Sequence, residues 1–130
     1  MRSEPLWLSA DDLIGICIDV VAQTGENYAL ISPASLQSAL DRPFNYWYYG
    51  EDSIVVLAVK LLLGVGQNHP FEQGNKRTAL ISTALFLQDN GYRFVVDDAE
   101  FLGELVRAAI VGDRSERDFI AILRTFIAAV

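Results

Sequence analysis

The sequence predicts an all-α domain, a compact bundle of six helices with one short β-hairpin. Three observations carry that expectation. Apolar residues recur at helical spacing through most of the chain, and Ser or Asp stands before most of these runs. No linker, internal repeat or low-complexity tract divides the 130 residues, so residues 1–130 read as one domain. With 52% hydrophobic and 21% charged residues the chain is not generally disordered, and at this length it buries roughly two-thirds of its unfolded surface.

Each element has a local cause. Ser9 with Asp12 three residues on is a capping-box variant, and it opens a first helix over about 10–24 that Gly25 stops. Ser32 before Pro33 is an N-cap with proline in the first turn, starting a helix to about Leu40. Arg42-Pro43 ends that helix, because the residue before proline avoids the helical region. Residues 44–50 (Phe-Asn-Tyr-Trp-Tyr-Tyr-Gly) have β propensity and suit a hairpin or flap. Asp52 or Ser53 caps a third helix to about Gln67, apolar nearly all round and therefore central. A fourth helix runs from about Asn75 to Asn90 with Gly91 behind it, and Tyr92 to Val96 is a short strand. Asp97 caps a fifth helix to about Val111, and a sixth from about Ser115 finishes the chain.

Composition excludes several classes of function. Seventeen acids against ten bases give a net charge of −7, and no basic run offsets it. Direct nucleic-acid binding draws most of its affinity from neutralised phosphates, so this chain is a poor candidate for it. One His and one Cys exclude an ordinary zinc site, and a lone Cys17 forms no internal disulfide. Residues 1–12 hold no apolar run of leader length, and the stretch Ile54 to Val65, interrupted by Lys60, is too short to span a bilayer. A cytoplasmic protein with no membrane association is expected.

One segment concentrates chemistry: His69-Pro70-Phe71-Glu72-Gln73-Gly74-Asn75-Lys76-Arg77-Thr78-Ala79-Leu80. The first turn of a helix has backbone N–H groups without intrahelical partners and the positive end of the macrodipole. Gly74 lets an anion approach the backbone there, and Lys76 and Arg77 add two cations, which makes a phosphate cradle. Histidine exchanges protons near neutral pH and is a natural acceptor for a hydroxyl proton. Together they suggest transfer of a phosphorus-containing group to an alcohol. A lone loop histidine is more often a surface residue, and first-turn lysine and arginine are more often solvated; it is the combination that points to a site. The Gly-x4-Gly-Lys-Ser/Thr pattern of a P-loop is absent.

These residues resemble the signature of the Fic/Doc superfamily, and more narrowly its Doc (death-on-curing) toxin branch. The usual pattern is His-Pro-Phe, any residue, Asp or Glu, then Gly-Asn-Gly-Arg with a second arginine three positions later. Lys76 stands where most Fic enzymes have glycine and Leu80 where they have the second arginine; both departures resemble the Doc branch. The stretch from Ser35 to Pro43 is similar to the family's Leu-x-Ser-Ala-Leu-x-x-Pro segment, and Leu85 to Tyr92 to its helix end.

The resemblance implies a toxin of a toxin–antitoxin module, restrained by an antitoxin protein. ATP is the implied nucleotide, with Mg²⁺ as its metal. The implied reaction is phosphoryl transfer to a threonine of the translation machinery, elongation factor Tu by resemblance. By position, His69 is the implied base, Gly74 and Asn75 shape the anion turn, and Lys76 and Arg77 bind phosphates. Gln73 falls where the family's acidic metal ligand stands; an amide oxygen is the weaker ligand for a hard cation, and Glu72 is the neighbouring carboxylate. Tyr46, Trp47 and Tyr48 occupy the place of the family's target-docking flap; the alternative is that these aromatics simply cover the core. An adenylyltransferase is the first alternative, and a catalytically silent Fic-fold binding protein, motivated by Gln73, is the second. The family's restraining motif, Ser/Thr-x-x-x-Glu-Gly/Asn, finds only Glu26-Asn27, with Ala22 in place of the hydroxyl residue, so restraint by a separate chain is expected.

Paired acids elsewhere have simpler explanations. Glu51-Asp52 and Asp97-Asp98 precede helices, where negative charge is favoured anyway. Cys17, among Ile16, Ile18 and Val20, reads as a small buried hydrophobe.

Overall fold

The most apolar run of the chain becomes its central helix. In the computed structural model, which describes residues 2–130, this helix is α3 (Ile54–Asn68), following α1 (Ala10–Gln23) and α2 (Pro33–Tyr48). The chain continues through α4 (Asn75–Asp89), β1 (Tyr92–Phe94), α5 (Ala99–Val111), α6 (Glu116–Arg124) and β2 (Ile127–Ala129). Eleven of the fifteen residues of α3 are buried, and α2 and α4 are its main neighbours, with α5 and α6 closing the remaining sides. A helix with no polar face is stable only when surrounded in this way. Gly64 sets the closest approach: a Cβ there would stand 3.2 Å from both the Cα and the carbonyl oxygen of Ala39 in α2.

The fold class is the expected all-α bundle with a small two-stranded antiparallel element, but that element does not lie at residues 44–50. Its strands are β1 and β2, with Tyr92 opposite Ala129 and Phe94 opposite Ile127. Residues 44–48 continue α2, which runs through Arg42-Pro43 without ending. Packing overrides the local preference here. Pro43 is buried, and the aromatic side chains that follow stack along the helix: Phe44 lies 6.0 Å from Trp47 and 6.2 Å from Tyr48, one turn on. Trp7 reaches across to Phe44, Trp47 and Phe86 at 5.7–6.1 Å, joining this end of α2 to the core. Such contacts offset the bond that proline forfeits.

Smaller differences follow from capping and pairing. Asp98 rather than Asp97 caps α5, its carboxylate accepting from the Phe101 N–H at 2.9 Å. The sixth helix stops at Arg124, so that 127–129 can pair with β1. One buried charge joins three helices. Lys60 of α3 places Nζ 2.5 Å from Glu116 Oε2 of α6 and 4.0 Å from the ring centre of Tyr46 in α2, while Arg42 of α2 reaches the other oxygen of Glu116 at 3.3 Å. Among the described residues no helix is long and apolar enough to cross a membrane.

Candidate functional site

Between α3 and α4 the chain makes a short loop, 69–74, and the connection from α1 to α2 fixes its shape. The Pro70 carbonyl accepts from the N–H groups of Ile31 (2.9 Å) and Ser32 (3.1 Å), and the Glu72 N–H donates to the Ala29 carbonyl at 2.9 Å. Phe71, 1% exposed, anchors the middle. Asn75 clamps it: its Oδ1 accepts from the Phe71 N–H at 3.0 Å and its Nδ2 donates to the Phe71 carbonyl at 2.8 Å. With its amide used in this way, Asn75 shapes the loop through a bidentate brace on a single residue.

His69 ends α3 as its C-cap and is exposed to solvent. Its φ of 49° makes it the one non-glycine residue with positive φ among those described. Such conformations are uncommon and cluster at functional sites. The start of α4 also departs from the other helices. Ser9, Ser32, Ser53, Asp98 and Ser115 cap theirs with side chains, whereas Gly74 leaves α4 without a side-chain cap. Gly74 is needed twice over, since its φ is 80° and a Cβ would come within 3.0 Å of Val21 Cγ1. The first-turn N–H groups are therefore open to an anion.

A cavity of ≈350 Å³ opens in front of this turn. It is lined by His69, Glu72, Gln73, Gly74, Asn75, Lys76 and Arg77, every residue that the motif singles out on the loop and the helix start. It is also lined by Glu26, whose carboxylate pairs with the Arg77 guanidinium. Arg77 donates further to the Val20 carbonyl at 3.2 Å and to Thr24 Oγ1 at 3.3 Å. The Thr24 hydroxyl, followed by Arg77, holds the Glu26 carboxyl below its ordinary range.

The Fic/DOC family model matches residues 7–87, more than half of the chain and all of this site. The chain belongs to the Fic/Doc family. No curated protein matches it.

In this Fic/Doc chain the sequence criterion applied to Glu26 misses its contact with Arg77. The Ser/Thr-x-x-x-Glu spacing assumes a continuous helix, but α1 ends at Gln23 and Gly25 turns the backbone at φ 70°. The hydroxyl partner is Thr24, two residues before Glu26, and Ala22 is irrelevant to it. Tyr46, Trp47 and Tyr48 do not enter the cavity and form no flap; they lie in the last turns of α2. Cys17 is buried beneath the loop with Sγ 3.5 Å from the Gln73 carbonyl oxygen, and burial pushes its thiol up.

A divalent cation of the Mg²⁺ type needs one or two carboxylates together with substrate phosphates. Glu72, exposed on the cavity rim, supplies one carboxylate, and the Gln73 side chain a neutral oxygen beside it. Glu26 is committed to Arg77. One carboxylate and one amide on the rim are the oxygen donors that would meet such an ion together with substrate phosphates.

Proposed function

We propose that this chain is a Doc-like toxin of a toxin–antitoxin pair, transferring the γ-phosphoryl group of ATP to a serine or threonine hydroxyl of a protein. Its working place is the cytoplasm, and its target a component of the translation machinery. The observation that carries the reading is a single cavity where an exposed histidine faces an uncapped, doubly cationic helix start. Lys76 in the anion turn and Leu80 in place of a second arginine favour the Doc branch over the adenylyltransferases.

The chemistry follows from the residues. The triphosphate lies against the open N–H groups of α4, held by Lys76 and Arg77, where its charge is stabilised without rearrangement. His69 accepts the proton of the target hydroxyl as that oxygen bonds to the γ-phosphorus. The bond from the γ-phosphorus to the bridging oxygen breaks, and ADP leaves with the electron pair. Glu72 and Gln73 are the residues that would hold a Mg²⁺ ion, which would supply neutralisation of phosphate charge. Glu26 restrains the site, because a phosphate must displace its carboxylate to engage Arg77 fully. An antitoxin chain is the proposed partner that completes this restraint.

The test is to incubate the protein with a cell extract and ATP labelled at either the α or the γ phosphorus. Label transferred from the γ position alone supports the reading, and label from the α position means AMP transfer. ATP binding with neither transfer favours the silent binding protein that Gln73 first suggests. Gln73→Asp is expected to tighten ATP binding severalfold in Mg²⁺ and to lose that gain on chelation, because the added carboxylate acts only through the ion. Unchanged binding would leave Glu72 to hold the metal alone.

A further inference from the structure

A larger cavity than the one at His69 lies elsewhere on the described residues. A groove of ≈710 Å³ runs along α2, lined by Gln37, Ser38, Asp41, Asn45 and Tyr46, with Asn68 at its wall. Gln37, Asp41 and Asn45 are four residues apart and share one helix face, with Ser38 and Tyr46 beside them. We propose that this face is where the acceptor protein lies, as an extended segment that presents its hydroxyl to His69 and a basic residue to Asp41. The proposal rests on the transfer reaction above for the hydroxyl, and on the groove alone for the basic residue.

Position and chemistry both favour this. Asn68 immediately precedes His69 and donates from Nδ2 to the Ser35 carbonyl at 3.1 Å. Ser32, the N-cap of α2, donates its N–H to Pro70. The groove therefore has one end at Asn68, the residue before His69, and leads away from it along α2. From Ala34 to Tyr46 the face spans about 18 Å at the helical rise. An extended chain covers that length with about five or six residues. Residues 44–48 are helical and offer no strand edge, so the acceptor's backbone must find its partners among side chains. Gln37, Asn45 and Asn68 each carry donors and an acceptor, and Ser38 a hydroxyl that serves as either.

Charge selects the occupant. Arg42 also lines the groove, but its guanidinium is drawn to Gln67 and Glu116 at 3.3 Å each. Among the described residues, exposed Asp41 holds only the neutral amide of Gln37, at 2.8 Å. It is the free charge of the groove on a chain of net −7, and both features attract a basic segment.

A peptide library with one fixed threonine and randomised flanks, panned against the full chain, tests this. Lysine or arginine should be enriched roughly three to five positions from the threonine, given an advance of about 3.3 Å per residue. Asp41→Lys should replace that preference with Asp or Glu, and Asp41→Asn should weaken it without reversing it. Affinity for a basic peptide should fall about three- to tenfold in Asp41→Lys, the scale of an exposed ion pair turned repulsive. The same enrichment in Asp41→Lys, or no peptide selected by the wild type, overturns the proposal. ATP titration of the wild type, run in parallel, separates the two readings. Enrichment without ATP binding removes the transfer reaction and keeps the groove, and ATP binding without enrichment does the opposite.

Discussion

Asn75 and Asn90 stand at opposite ends of α4 and make the same clamp in two different settings. Asn75 pairs its amide with the N–H and carbonyl of Phe71; Asn90 accepts from the Leu6 N–H at 2.8 Å and donates to the Leu6 carbonyl at 3.0 Å and the Phe86 carbonyl at 2.8 Å. Beyond Asn90 the backbone is occupied: the Asn90 N–H bonds to Leu87, and the Gly91 carbonyl accepts from Val130. Before Asn75 no side chain caps the helix, and the flanking residues are Gly74, Lys76 and Arg77. The same interaction thus closes one end of the helix and holds the other open. What distinguishes the site is the side-chain cap withheld beside a well-braced loop.

The comparison is broken most severely at the open end. His69→Ala should lower the transfer rate by a factor of about 10² to 10⁴ while leaving the circular dichroism spectrum and melting midpoint nearly unchanged. Equal activity in the variant would remove His69 from its role. Next in size, Asn75→Ala and Asn90→Ala should each cost about 1–3 kcal/mol of stability, since each strands backbone groups that the amide satisfies. Only Asn75→Ala should also weaken ATP binding, as read by calorimetry. Parallel losses of affinity in both variants would mean that the brace is not specific to the site.

Smaller effects sharpen the contrast. Arg77→Ala should weaken ATP binding roughly tenfold, and exposed Arg117→Ala should not, because charge-assisted bonds contribute about 1.5–3 kcal/mol. Glu26→Ala should move affinity the other way, tightening it a fewfold by freeing Arg77. Smallest is the pH effect. The Glu26 carboxyl titrates below its ordinary range, so the pair's stabilisation is complete above that range and fades as pH falls through the lowered value. The melting difference between wild type and Glu26→Gln should hold steady from neutral pH to about pH 5 and shrink below the ordinary glutamate value of about 4.3. A difference that grows on acidification would contradict the pairing.

The residues of the site were legible because they are contiguous. His69 to Arg77 carry their chemistry within one loop and one helical turn, where sequence spacing is spatial spacing. The bundle was legible for a similar reason, as capping and periodicity act locally. The misplacements are non-local. α2 passes Pro43 because Trp7, distant in sequence, packs against Phe44 and Trp47. β2 exists because Phe94 finds Ile127 beyond two intervening helices. Glu26 reaches Arg77 only because Gly25 turns the chain back, a step that a helical spacing rule does not contain.

The left-handed backbone of His69 has one more consequence. An L-residue there sits in strain that glycine would not feel, a difference of about 1–2 kcal/mol. Replacement of His69 by glycine would therefore remove the proposed base and relax the loop together. Misfolding gives no protection against that exchange: the glycine variant would be as durable as its parent, so on the proposed function only the transfer chemistry itself calls for a histidine at this position.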